Sequence, residues 1–264
     1  MVGLAGVLLF CLCLTAQAQP DFLPQARAYL VESDGRVLWE KDADRPLPPA
    51  SLTKLMTALL VHERGGLDKV ATVTPAAAAE TGSRLDLKAG DRLRVRDLLA
   101  AALIQSANDA CHALADWLAG DEARFVKLMN RRAGELDLKQ TRYTNACGHD
   151  RPGHQASARD LARLAERAMQ APVIAQLVAL PGHEIATADG ARRFSLTNRN
   201  ALIGRYEGAT GIKSGFTARA GKCLIAAAQR DGRRVLLVML NAGNRWWDAS
   251  DTLDRAFAQL APAS

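Results

Sequence analysis

No block of lysine and arginine interleaved with aromatics occurs in this chain, and aromatics fill only 5% of its 264 positions. A basic surface with stacking rings for nucleic acid therefore has no signature, and no nucleic-acid partner is expected. The formal net charge of +6 equally suits an enzyme acting on an anionic polymer. Cys-x-x-Cys and His-Glu-x-x-His are both missing. The five histidines (His62, His112, His149, His154 and His183) show no ligand spacing, so neither a metal nor a cofactor is expected. There is no internal repeat and no low-complexity linker. Past the first residues no apolar run is long enough to cross a bilayer, so no stable membrane anchor is expected.

What is present begins with an apolar N-terminal run closed by Ala16-Gln17-Ala18. Residues 1–18 read as a secretory signal cleaved after Ala18. The run has no Lys or Arg ahead of it, which leaves the true start open. It is short for a membrane anchor, the competing reading. Cys11 and Cys13 lack the small residues that precede a lipidated cysteine. Cleavage leaves Cys111, Cys147 and Cys223. An oxidising compartment allows one disulfide and one free thiol. The expected pair is Cys111 with Cys147, which no spacing rule fixes.

Two apolar runs, Ala26 to Leu30 and Arg36 to Glu40, flank an Asp34-Gly35 turn signal and predict an antiparallel hairpin. The prolines at 46, 48 and 49 make a stiff extended linker. It leads into a helix from Ser51 to about His62 that is apolar on more than one side, as a buried helix is. Gly65-Gly66 stops it. Helical patterns follow at Ala76 to Glu80, at Val95 to Gln105, from a cap at Asn108 or Asp109 to Leu118, at Asp121 to Leu136, from a Ser157 cap to Gln170, and at Pro172 to Ala179. Phe194 to Thr197 reads as an edge strand. Strands are expected over Gly208 to Gly215, Cys223 to Gln229 and Val235 to Asn241, the last two joined at Asp231-Gly232. A C-terminal helix carries Trp246, Ala249, Leu253, Phe257 and Leu260 on one face. The hairpins argue for an antiparallel sheet of about five strands flanked by helices, with an all-helical insertion between early and late strands: an α/β (α+β) chain.

Ser51-Leu52-Thr53-Lys54 opens the first helix. Side chains three apart on a helix share a face, so the hydroxyl and the amine meet. Serine needs a neighbouring base, and a buried lysine can lose its proton to become one. Alone, the pattern is more often a helix cap. Two further polar clusters follow in order, Ser106-Ala107-Asn108 between helices and Lys213-Ser214-Gly215 on a strand. An ordered Ser-x-x-Lys, Ser-x-Asn, Lys-Ser/Thr-Gly set is hard to reach by chance.

With these motifs the chain resembles the low-molecular-mass penicillin-binding proteins of the serine D-alanyl-D-alanine carboxypeptidase type. The likeness runs from about Ala26 to Ala258. It includes Ala50 to Thr57, Val95 to Leu99, Ser106 to Ala110, Asn198-Arg199-Asn200, Gly211 to Thr217 and Ala220-Gly221. Ser214 stands where the family usually has threonine and keeps the hydroxyl. The resemblance implies a β-lactamase/D,D-peptidase-like fold. It implies one catalytic domain over 19–264, with a helical subdomain at about 65–180 and neither the C-terminal β domain nor the anchor of many members. It implies removal of the terminal D-Ala from peptidoglycan pentapeptides, with β-lactams as covalent inhibitors, in the periplasm. Ser51 would be nucleophile and Lys54 base. The Ser51 and Phe216 N–H groups would hold the oxyanion, Ser106 would relay a proton, and Asn108 would bind the substrate amide. Lys213 would supply positive field. Ser214, Gly215 and Thr217 would receive the carboxylate, with Arg245 as its countercharge. A cross-link-splitting D,D-endopeptidase is the alternative. A β-lactamase fits less well, because no Glu-x-x-Leu-Asn loop is present: Glu135 leads into Leu-Asp-Leu-Lys and Glu166 lies mid-helix. The intact polar set argues against a catalytically silent binding protein.

Overall fold

The computed structural model describes residues 24–261; the signal reading at 1–18 lies outside the described residues. Strands β1 (Ala26–Ser33) and β2 (Arg36–Lys41) form the expected hairpin. Asp34 and Gly35 both have positive φ, 48° and 79°, as a tight two-residue turn demands. The proline linker pairs at Leu47 with Ala156 and ends in a 3₁₀ turn, Ala50–Thr53, that runs straight into α1 (Lys54–Arg64). α1 is buried on nearly every side.

The helical half also contains two short strand pairs. β3 (Val70–Thr72) precedes α2 (Pro75–Ala78) and pairs with β4 (Arg92–Arg94). The Val95 to Gln105 helix is α3 (Val95–Ala100) continued by a π turn, Ala101–Gln105, ending on Ser106 at φ 62°. α4 (Asn108–Ala119) is not capped as expected: its N-cap is Ala107, without a side-chain bond. The Asp109 carboxylate instead accepts the N–H groups of Leu85, Leu87 and Ala110, and so pins the 83–87 segment to the helix. α5 (Glu122–Glu135) and α6 (Ala158–Met169) carry their Asp121 and Ser157 caps, and α7 (Pro172–Ala179) follows. Phe194 to Thr197 lies outside the main sheet. It is part of β6 (Arg193–Thr197), which pairs only with β5 (Gly182–Ala186) in a separate hairpin. Both strands are mostly exposed, so neither shows apolar alternation.

β7 (Ala209–Thr217), β8 (Gly221–Arg230) and β9 (Arg233–Ala242) complete a five-stranded antiparallel sheet in the order β2-β1-β9-β8-β7. Its central strands are buried on both faces, and successive side chains alternate between two cores. Tyr29, Val31, Leu224, Ala226, Leu237 and Met239 meet Ala249, Leu253 and Ala256 of α8 (Arg245–Leu260). Ala28, Leu30, Ile225, Ala227, Leu236 and Val238 face the helical half, where α6 and α7 lie against the sheet.

Cys111 of α4 is bonded to Cys147, and Cys223 is free and buried. The bond closes a sequence separation of 36 residues. Chain entropy alone assigns such a loop about 3–4 kcal/mol. Cys111→Ser/Cys147→Ser is therefore expected to lower the unfolding free energy measured in urea by that amount. Reduction of the wild type should lower it equally.

Candidate active site

The site forms where the 3₁₀ turn, the π turn, the 145–154 loop and the edge strand β7 meet. Lys54 lies one turn beyond Ser51, with Nζ 3.2 Å from Ser51 Oγ. The same amine reaches Asn108 Oδ1 and the Cys147 carbonyl, each at 2.7 Å. Its three N–H directions thus meet three oxygens, although the side chain is 0% exposed. Burial pulls its pKa down from the ordinary lysine value to about 7, against the opposing pull of Glu80 and Asp109.

Lys213 Nζ, also buried, donates to Ser106 Oγ and to the Ser214 carbonyl, both at 2.9 Å. Burial pushes its pKa well below the usual value, and Lys54, Arg245 and Arg199 add repulsion. The two amines compete for charge. Lys54 has three oxygen partners with Glu80 and Asp109 nearby, whereas Lys213 has two oxygen partners and only cations among its charged neighbours.

The left-handed Ser106 turns its hydroxyl toward Lys213 because the π turn ends there. Asn108 is 8% exposed. It spans the site, accepting from Lys54 and donating one Nδ2 proton to the Thr81 carbonyl at 2.5 Å. An amide nitrogen carries two protons, so one remains for a ligand.

Backbone groups complete the site. The Asn145 carboxamide oxygen accepts the N–H groups of Cys147, Gly148 and His149 at 3.2, 2.7 and 3.0 Å, folding the loop so that the Cys147 carbonyl faces Lys54. His154 anchors the same loop. Its Nδ1 accepts the Thr144 N–H, and the Thr53 hydroxyl gives its own proton to the Ala50 carbonyl, so His154 Nε2–H donates to Thr53 Oγ1. That neutral form agrees with a pKa lowered by burial to about 4. Gly148 and Gly215 press on the nucleophile's backbone: a Cβ on either would fall within 2.9 Å of the Ser51 nitrogen.

A cleft of about 770 Å³ opens over these groups, lined by Ser51, Ser106, Ser214, Gly215, Phe216 and Arg245 among others. Arg245 Nη1 donates to the Gly215 and Cys223 carbonyls at 2.6 and 3.0 Å, and its guanidinium lies over Trp246. Its buried Nε has no hydrogen-bond partner among the described residues. Ser214 Oγ donates to the Arg199 carbonyl, and the Phe216 ring is 64% exposed at the rim. Thr217 does not reach the cleft. Its hydroxyl donates to Asp150 at 2.6 Å and accepts the Ala220 N–H at 3.0 Å. Asn198, Arg199 and Asn200, a polar triplet in the sequence, line the cleft and belong with the site residues. Asn198 fixes that loop by donating to the Val178 and Leu180 carbonyls. Glu166, by contrast, pairs with Arg234.

A helix-borne serine beside a buried lysine, under a cleft with an arginine in its wall, defines a serine acyl-transfer site with an amine base. The chain belongs to the family described as D-alanyl-D-alanine carboxypeptidase (peptidase S11), whose pattern matches residues 15–244. It is 36% identical over 242 residues to D-alanyl-D-alanine carboxypeptidase DacF of Bacillus subtilis (strain 168), covering 88% of this chain and 62% of that protein. It is 33% identical over 224 residues to a D-alanyl-D-alanine endopeptidase of Pseudomonas aeruginosa, covering 83% of this chain and 72% of the relative. Penicillin-binding protein D2 of Listeria monocytogenes, solved with ampicillin bound, superposes with a TM-score of 0.79 at 33% identity, over 90% of this chain and 100% of that one. The chain thus spans under two thirds of the length of DacF.

Proposed function

We propose that this chain is a serine D,D-peptidase that removes the terminal D-Ala from peptidoglycan pentapeptides in the periplasm, and so acts on wall structure and cell shape. The observation that carries this reading is the unbroken set Ser51–Lys54–Asn108 and Ser106–Lys213 beneath one cleft. Ser51 Oγ attacks the carbonyl of the penultimate D-Ala and passes its proton to neutral Lys54. The Ser51 and Phe216 N–H groups take the oxyanion. The tetrahedral adduct collapses, the peptide C–N bond breaks, and the proton held by Lys54 passes by way of the Ser106 hydroxyl to the departing amine, leaving Lys54 neutral again. Water then attacks the Ser51 ester, Lys54 taking its proton and returning it to Ser51 Oγ as the acyl group leaves.

The substrate's terminal carboxylate is received by Ser214 and the Arg245 guanidinium on the cleft wall. Its negative charge stabilises a protonated Lys213. That cation in turn repels a proton on Lys54, so substrate binding itself makes the base. A β-lactam acylates Ser51 by the same attack. The D,D-endopeptidase reading uses the same site, and the Pseudomonas relative's name favours keeping it.

Fluorescent penicillin should label the purified protein covalently, and Ser51→Ala should abolish the label. An unlabelled wild type would sink the proposal. Digestion of defined muropeptides then separates the two peptidase readings, by free D-Ala from pentapeptides or by split cross-linked dimers.

A further inference from the structure

A second polar cluster, unused by this chemistry, lies in the helical half. Glu80 follows α2, His112 and Asp116 stand one turn apart on α4, Glu122 opens α5, and His149 comes from the 145–154 loop. Glu80 reaches both histidines, with Oε1 2.7 Å from His112 Nδ1 and Oε2 2.7 Å from His149 Nε2. One ligand atom each from Glu80, His112 and Glu122 lie within 4.8 Å of one another. The side chains of Glu80, His112 and Glu122 are only 12%, 11% and 17% exposed. Glu80 already engages both imidazoles and Glu122 faces Arg151 at 3.8 Å, so an ion held here would take the place of the proton that His112 shares with Glu80.

We propose that Glu80, His112 and Glu122 bind a divalent transition metal of the zinc class, with water in the fourth position. The donors are imidazole nitrogen and carboxylate oxygen, a set that suits such ions and leaves no soft thiolate to select another. A tetrahedral ion with bonds of about 2.1 Å holds its ligand atoms roughly 3.4 Å apart. The 2.7 Å Glu80–His112 contact would open slightly, and the widest separation would close.

A supporting shell is already built. His112 Nε2 lies 3.5 Å from Asp116 Oδ1, and Asp116 accepts the Thr74 hydroxyl at 2.5 Å. A carboxylate on the far nitrogen is what orients a ligating imidazole. Linear spacing hides the site, because its ligands come from three separate segments.

The ion would fasten the segments that serve Lys54. Glu122 accepts the Ala146 N–H at 2.9 Å, next to Cys147, and Glu80 adjoins Thr81, whose carbonyl holds Asn108. The competing account is an imidazolium at His112 clamped between Glu80 and Asp116, with no metal. The proposal stands apart from the peptidase reading, since it is tested by binding alone.

Tag-free protein stripped with EDTA should bind one Zn²⁺ per chain in calorimetric titration, with a rise in the thermal midpoint. His112→Gln should weaken binding at least about 100-fold, and Asp116→Asn about 10- to 100-fold. Should His112→Gln fail to fold, Glu122→Gln carries the test and should weaken binding about tenfold or more. Anomalous scattering at the zinc edge should place the ion among these side chains. An absence of saturable binding, wild-type affinity in the ligand variants, or an ion elsewhere would overturn the assignment.

Discussion

Lys54→Met should slow acylation by penicillin about 10³-fold while leaving the fold intact. The range for one positioned acid–base group is ~10²–10⁴, and Lys54 has no substitute within reach of Ser51 Oγ, since Lys213 is directed at Ser106. Methionine fills the buried volume without a charge. It leaves the Asn108 and Cys147 oxygens without a donor, which costs stability. It also removes an amine whose burial opposes its charge, so the net change in stability should be small. The pH profile separates a base from a merely structural lysine. Lys54 must be neutral to accept a proton, and its pKa is drawn down to about 7 by burial. Wild-type acylation should therefore rise with pH up to about 7 and level off above it, with the limb belonging to the coupled Lys54–Lys213 pair. In Lys54→Met that limb should vanish. Stopped-flow acylation between pH 5 and 9 measures both effects. A variant that reacts at the wild-type rate, or keeps the limb, would remove Lys54 from the role.

The same lysine shows where sequence was readable and where it was not. Its distance from Ser51 follows from helix geometry, and its burial follows from a segment apolar on more than one side, in which Leu52, Leu55, Met56 and Leu59 are buried as well. Its partner Cys147 contributes a backbone carbonyl, which no side-chain pattern reveals. The main sheet was legible because two-sided burial writes continuous apolar runs and Asp-Gly marks the turns. β3, β4 and β5 were not, since strands of three to five residues with mostly exposed side chains carry no period; β6 was read at Phe194 to Thr197 but not its pairing with β5. Asn108 reads equally as a helix cap or a site residue. Only the position of Lys54, 54 residues away, decides it. Thr217 had the right chemistry and neighbourhood, but Asp150, 67 residues distant, engages its hydroxyl.

Gly148→Ala should disable the enzyme without touching any reacting group. Gly148 has φ 95°, a region that costs an L-residue ~1–2 kcal/mol. The larger effect is collision. A Cβ there would lie 2.0 Å from the Ala50 carbonyl oxygen, 2.4 Å from its carbon and 2.8 Å from the Ser51 nitrogen. These are backbone atoms and cannot rotate aside. The loop cannot retreat easily either, because Asn145 holds three of its N–H groups and Cys147 is bonded to α4. The 3₁₀ turn must give way, and Ala50 within it already sits at φ 50°. A displacement of about 1 Å at a reacting group can cost ~10²-fold in rate. Acylation should therefore fall about 100-fold, and unfolding free energy by ~2–4 kcal/mol. Gly153→Ala is the matched control. It too has a left-handed φ, 75°, but its nearest new contact is Thr144 Cγ2 at 3.9 Å. It should lose only the conformational ~1–2 kcal/mol and acylate at the wild-type rate. If the two variants behave alike in acylation kinetics and in urea unfolding, close packing of Gly148 does not position Ser51. If only Gly148→Ala loses acylation, the loop and the nucleophile are held as one rigid unit.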